Sequence, residues 1–358
     1  DPWLYVSRFP ARYAPFSPNQ HFHLNRYVGG NALMANLTPT EIGGPVDFST
    51  DALGFRMNPY LAPKTRPQLL LFKGDSFTYG VGLSDGQTLA SVLTREKSIP
   101  TYNGGRFHDD PEGLPELDWL SSHLPGPPKT VVYVYLEHLM PVPPAETGGW
   151  KGRLEQRSPR LEGDLYYGRM LNTFFWQLAP TKVVSTRMFK HLSNGVILPN
   201  IYRDSVKELK TPDGGRMLFR DYEYELANQI RGPEVVARTG RYFKWFQAQL
   251  ARRNMNLVVL MVPARYTVYA PLLGAANGEW AEYLNEVEHE LRRQNITAVN
   301  CLTFFREHAP EELREGRYSF CREDTHWNPS GVRLVADHLS AALEEMGRPI
   351  LRTSNAVQ

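Results

Sequence analysis

Cysteine is nearly absent: Cys301 and Cys321 are the only two in 358 residues. That excludes a disulfide-stapled scaffold, and neither residue sits in a CxxC motif of the metal-binding kind. Two readings of the pair stay open. They are two buried free thiols, or one Cys301–Cys321 disulfide bracing the loop after Cys321, which suits an exported protein. Long apolar runs are also missing. The longest, such as Leu257–Val262, are strand-sized and far below the roughly 18 residues of a membrane span. Neither sign of charge is in excess: 40 Lys plus Arg against 38 Asp plus Glu leave a net +2. A nucleic-acid partner is therefore not expected, because its footprint would be a clear basic surplus. No internal repeat is present. The chain opens at Asp1 rather than Met, so a signal peptide or membrane anchor removed upstream is expected.

What is present is the balance of an ordinary globular protein, 42% apolar and 22% charged, with length for one large domain or two smaller ones. Residues 1–50 mix prolines with Trp3, Tyr5, Phe9, Tyr13 and Phe16 and predict an extended arm anchored on a domain surface. Order begins at Leu69. A buried strand is expected over Leu69–Phe72, a turn at Gly74-Asp75-Ser76, and a helix over Gln87–Glu96 with Leu89, Val92 and Leu93 inward. A β-branched and aromatic strand follows at Val131–Leu136. Residues 140–232 read as an insertion that opens Pro/Gly-rich at Pro141–Gly149, runs through the aromatic stretch Tyr166–Leu178, and ends in turns around Thr211–Gly215.

After Pro233, the spacing of Val236, Phe243, Phe246 and Leu250 predicts a helix. A strand follows at Leu257–Val262, then a helix carrying Trp280, Leu284, Val287 and Leu291, and a short strand near Ile296–Val299. Arg317–Cys321 is strand-like. Asn328-Pro329 supplies an N-cap and a Pro at N1 for a last helix with Val332, Val335, Leu339 and Leu343 inward, and 346–358 form a tail. Strands alternating with helices predict an α/β domain over 51–345, a parallel sheet layered between helices.

In such sheets, functional groups collect where strands end and helices begin. Ser76 is at one such junction. A serine hydroxyl needs a neighbouring base before it attacks, and of the 10 histidines, His326 lies at another strand-to-helix junction. Asp324, two residues earlier, is placed to hold the Nδ1 proton of that imidazole. Nothing in the sequence asks for a metal or a cofactor.

Gly74-Asp75-Ser76-Phe77 resembles the GDS block of the SGNH-hydrolase superfamily. Asp324-Thr325-His326-Trp327-Asn328-Pro329-Ser330-Gly331 resembles the Asp/His block of the same superfamily. The upstream Asp51-Ala52-Leu53-Gly54-Phe55-Arg56 is similar to a segment that often precedes the GDS block. Val262-Pro263-Ala264-Arg265 with Tyr269 resembles a strand-end motif of the alginate O-acetyltransferase-like (AlgJ/AlgX-type) branch. Asp two before His, rather than three, is also a mark of that branch. The resemblance spans about 50–135 and 233–345 and implies a three-layer, flavodoxin-like fold.

Departures from the pattern shape the expected site. Glu137-His138 stands where esterases carry an Asn oxyanion donor, and Asn103-Gly104-Gly105 is only partly like the second block. Since one oxyanion donor is typically worth about 10²–10³ in rate, a replacement is expected, with Gly105 foremost and Asn103 and Glu137 in support. Glu137 reads equally as a buried carboxylate paired with Arg265 or another base. Asp75 is expected to brace the turn. Arg265, Tyr269 and Trp327 are the candidate substrate contacts, each with a structural reading beside it, Trp327 as core.

The resemblance implies O-acetylation of an exported polysaccharide through an acyl-Ser76 intermediate, in an extracytoplasmic setting. The acetyl donor would be supplied by a membrane acyltransferase partner, and residues 140–232 would cap the site for acceptor choice. The rival readings are a carbohydrate esterase with the same triad and a non-catalytic polysaccharide-binding or assembly subunit that keeps the fold.

Overall fold

The computed structural model describes residue 16 and residues 18–35, 37–62, 69–106, 114–124, 126, 128–137, 206–220, 223–224, 232–275 and 281–345. The aromatic stretch Tyr166–Leu178, His138, Trp280 and the tail 346–358 lie outside them, as does most of the expected cap.

An antiparallel ribbon of β1 (His21–Leu24) and β2 (Val46–Ser49) encloses the short helix α1 (Gly30–Met34). The central sheet then begins: β3 (Leu70–Lys73), α2 (Ser76–Tyr79), α3 (Leu89–Glu96), β4 (Thr101–Asn103), α4 (Leu114–His123) and β5 (Thr130–Leu136). An antiparallel hairpin, β6 (Val206–Lys210) and β7 (Arg216–Arg220), precedes α5 (Pro233–Ala251), β8 (Asn256–Val262), α6 (Arg265–Tyr269), α7 (Tyr283–Arg293), β9 (Thr297–Asn300), α8 (Cys301–Glu315) and α9 (Pro329–Glu345).

The sheet is parallel throughout, in the order β4-β3-β5-β8-β9. Counted within the sheet this is 2-1-3-4-5, the flavodoxin-like winding, which reverses direction between its first and third strands. β5 and β8 pair over seven residues, Thr130 with Asn256 through Leu136 with Val262. Both are apolar along their length because helices cover both faces of the sheet. On one face, Tyr133 and Tyr135 set their rings edge-on to Phe243 of α5 at 5.5 Å, and α7 packs beside α5. On the other face, α9 packs against α3 and β9 while α8 lies under β8. The expected α/β three-layer architecture is the one observed.

Four local expectations change. The helix expected from Gln87 begins at Leu89, after a turn of 3-10 helix at Asp85–Gln87. Arg317–Cys321 is a loop that makes a single bridge, Phe320 to Trp327. The fifteen-residue α8 stands where no helix was expected. Residues 18–35 and 37–50 are not an extended arm but contain an antiparallel ribbon and a short helix.

The insertion also ends earlier than 232. Met217, Leu218 and Phe219 of β7 are fully buried, so the β6–β7 hairpin belongs to the core and not to a cap. Among the described residues no helix is long and apolar enough to cross a membrane.

Candidate active site

Ser76 sits immediately past the C-terminal end of β3, at the point where the winding reverses. Gly74, at φ +147°, turns the chain there, and Asp75 caps α2 by accepting from the Phe77 N–H at 3.0 Å. Asp75 thus braces the turn, as expected. The next turn is pinned by the upstream segment. Buried Arg56 pairs with Asp85 at 2.8 Å and donates to the carbonyls of Gly80 at 3.3 Å and Leu83 at 2.5 Å.

The Asp/His loop closes on itself through Cys321 N–H to His326 O at 2.9 Å and Asn328 N–H to Ser319 O at 3.0 Å. Asn328 then caps α9, accepting from the N–H groups of Ser330 and Gly331. His326 Nε2 lies 2.8 Å from Ser76 Oγ, and its Nδ1 lies 2.5 Å from Asp324 Oδ1. The imidazole packs on the Phe77 ring at 4.9 Å. The three residues singled out in sequence, 250 positions apart at the extremes, form one hydrogen-bonded unit.

Asp324 is almost fully buried. Burial alone would raise its carboxyl, but the charge and hydrogen bond of His326, with the N–H groups of Gly30 and His326, hold it well below the usual carboxylate range. Tyr27 Oη donates to Asp324 Oδ2 at 2.9 Å and the Gly30 N–H to the same oxygen at 2.6 Å. Sequence reasoning missed both residues, since they lie in the segment read as an arm. The one signal available was the pair Gly29-Gly30, which lets backbone approach backbone closely.

The expected oxyanion donor is corrected. The Gly105 N–H donates at 3.0 Å to Asn103 Oδ1, while its neighbours Gly104 and Arg106 donate to the carbonyls of Phe72 and Gly74. The Gly104 and Arg106 donors tie this stretch to the end of β3, the Gly105 donor is taken within its own turn, and none of the three is left for a substrate. Asn103 is buried, and its amide lies 3.5 Å from Tyr79 O, so it braces α2. Among the described residues the Ser76 N–H has no acceptor and remains the available donor.

The candidate substrate contacts are corrected as well. Arg265 has no exposed side-chain surface. It pairs with Glu223 at 3.1 Å and donates to the carbonyls of Cys321 at 2.6 Å, Arg322 at 3.1 Å and Leu218. It is a buried post under the Asp/His loop. Glu137 does not pair with it in this arrangement; it accepts from the Ala264 N–H at 2.7 Å and the Thr267 hydroxyl at 3.0 Å, fixing the start of α6. Tyr269, fully buried, donates to Glu312 at 2.5 Å and accepts from the Ser319 N–H at 3.1 Å. Burial and the Glu312 charge keep its phenol protonated. Trp327 is core, edge-on to Phe77 at 5.3 Å.

Cys301 and Cys321 are both free, so no disulfide braces the loop. Cys301 starts α8 beneath the core, and burial pushes its thiol well above the ordinary range. For Cys321, burial and the charges of Asp324 and Glu41 do the same. Thiol titration should therefore find two reactive groups in the unreduced, denatured protein and almost no fast reaction in the native one. Two blocked thiols after denaturation would overturn the assignment. Among the described residues no cluster of His, Cys, Asp or Glu is arranged to hold a metal.

A strand-end serine hydrogen-bonded to an Asp-supported imidazole on a 2-1-3-4-5 sheet is the arrangement of an activated serine nucleophile, one that can take and pass on an acyl group. The family comparison agrees: residues 216–357 match the SGNH hydrolase-like domain of the acetyltransferase AlgX. The resemblance to the AlgX-type branch therefore holds. The match takes in Asp324 and His326 and begins beyond Ser76.

No curated protein sequence matches the chain. Solved structures similar to it include the protein YXIM_BACsu from Bacillus subtilis, at 9% identity and TM-score 0.39, covering 87% of this chain and 62% of that one. The chain thus spans less than two thirds of that relative. The SGNH-hydrolase family esterase AlinE4 is similar at 12% identity and TM-score 0.32, over 79% of this chain and 97% of that one. The salicylyl-acyltransferase SsfX3 from a tetracycline biosynthetic pathway is similar at 13% and 0.33, over 88% and 63%.

Proposed function

We propose that the protein is a serine-dependent O-acyltransferase that acetylates the hydroxyls of an exported polysaccharide. The observation that carries the reading is the Ser76–His326–Asp324 unit, with Nε2 at 2.8 Å from Oγ and Nδ1 on the buried carboxylate. In the first half-reaction Ser76 Oγ attacks the acetyl carbonyl as its proton passes to Nε2, and the Asp324 carboxylate steadies the imidazolium. The tetrahedral oxyanion meets the Ser76 N–H. The donor's oxygen or sulfur then leaves with the proton from Nε2, and acetyl-Ser76 remains. In the second half a sugar hydroxyl gives its proton to Nε2 and takes the acetyl group, and Nε2 passes that proton to the departing Oγ, which restores Ser76.

The AlgX acetyltransferase match and the Asp-x-His spacing support transfer to an acceptor hydroxyl rather than to water. The reading extends to a polysaccharide acceptor, an acetyl donor delivered by a membrane acyltransferase partner, and an extracytoplasmic setting. Those three rest on the motif resemblance.

Incubation with a chromogenic acetyl ester, with and without candidate oligosaccharides, tests the reading by mass spectrometry of the sugar. Acetylated oligosaccharide together with faster ester consumption is expected. Ester cleavage unchanged by any sugar would favour the esterase reading. No consumption of ester, with the wild-type protein folded, would favour a binding or assembly role.

A further inference from the structure

We infer that Tyr27 is a positioning residue for Asp324, and that residues 27–35 and 37–41 supply a clamp without which the Asp–His pair does not hold its working geometry. The inference deepens the acyl-transfer reading and rests on it.

The argument starts from spacing. With only one residue between Asp324 and His326, one carboxylate oxygen serves the whole turn. Oδ1 takes both the His326 N–H at 3.1 Å and Nδ1 at 2.5 Å. Oδ2 is thereby turned away from the loop, and a buried carboxylate oxygen without donors is costly. No residue of the loop reaches it. The two donors come from the other end of the chain, Tyr27 Oη at 2.9 Å and the Gly30 N–H at 2.6 Å.

The neighbouring carboxylate is held by the same segment. Glu323, with no exposed side-chain surface, accepts from the Thr40 N–H at 2.8 Å, the Thr40 hydroxyl at 2.7 Å and the Glu41 N–H at 3.2 Å. Its own N–H donates to Glu41 Oε2 at 3.0 Å, and its carbonyl accepts from the Asn31 N–H at 3.1 Å. Arg216 of β7 completes the grip on Glu323 at 2.7 Å.

The fit is tight at two independent places. A Cβ on Gly29 would lie 2.2 Å from Glu323 O, and one on Gly82 would lie 2.8 Å from the Tyr27 ring. Gly82 also has φ +78°. Glycine at both positions lets the clamp seat and gives the Tyr27 ring its slot. Burial and the Asp324 charge push the Tyr27 phenol well above its ordinary range, so it stays a donor at working pH.

Tyr27→Phe keeps the ring and removes only the hydroxyl. A hydrogen bond to a charged group is typically worth enough for a loss of about tenfold or more when removed. The rate of Ser76 labelling by a fluorophosphonate is expected to fall about tenfold, with the melting temperature nearly unchanged. The downfield proton resonance of the His326 Nδ1–H should shift, and Asp324→Asn should abolish it. Labelling within twofold of wild type and an unmoved resonance would overturn the inference and leave Tyr27 as packing alone. Should wild type take no label at Ser76, the acyl-transfer reading falls instead, and the resonance comparison still decides whether Tyr27 governs the Asp–His pair.

Discussion

Ser76→Ala is expected to abolish covalent acyl-enzyme formation and to lower ester turnover by at least about 10⁴-fold, with the fold intact. The magnitude follows from the way such units act: nucleophile, base and orienting carboxylate contribute together, and removing one disables the others. Asp324→Asn is expected to cost a comparable factor, about 10⁴, because an amide cannot hold the imidazole tautomer that leaves Nε2 free to accept. The double variant should be scarcely worse than Ser76→Ala alone. Steady-state rates on a chromogenic acetyl ester, with circular dichroism as the fold control, check all three. Additive losses, each factor multiplying the other, would mean that Ser76 and Asp324 act separately.

The second large effect is on stability. Arg265→Ala is expected to destabilise the protein by about 3–5 kcal/mol, the usual cost of leaving one member of a buried ion pair without its partner. The residue pairs with Glu223, and both have no exposed side-chain surface. The substitution also strips donors from the carbonyls of Leu218, Cys321 and Arg322, which join the β6–β7 hairpin to the Asp/His loop. Since whole domains are stable by only about 5–15 kcal/mol, a large fall in the denaturation midpoint should be measured. Arg265→Lys should recover little, because an ammonium group does not span the set of acceptors a planar guanidinium does. An unfolding free energy within about 1 kcal/mol of wild type would show that the loop stands without this post.

Strands β3, β5, β8 and β9 and the residues Ser76, Asp324 and His326 stood out because each rests on a short-range signal, whereas the short β4 and the two ribbons did not. β5 and β8 are apolar runs between turns, and α9 announces itself with Asn328-Pro329. The helix α8 was not legible, although Leu302, Phe305, Ala309 and Leu313 recur at helical spacing and are buried. Pro310 in its interior lacks the N–H that a helix normally uses, and Cys301, its first residue, follows directly on Asn300 at the end of β9, with no loop to mark the change.

The supports of the site were hidden for a different reason. Tyr27 and Asp324 are 297 positions apart, and no local pattern joins them. Arg265 was noticed, but its role depends on β7 burying Leu218 beside it. Gly105 looked like an oxyanion donor by composition, whereas its N–H is committed to Asn103 two residues back.

The most direct test of the central claim is to trap the intermediate. Wild-type protein is mixed with the chromogenic acetyl ester, quenched in acid within the burst phase, digested and mapped by mass spectrometry. One acetyl group on the peptide containing Ser76, absent from the Ser76→Ala protein, is the predicted result. An unmodified Ser76 during active turnover, or acetyl carried on another residue, would contradict it.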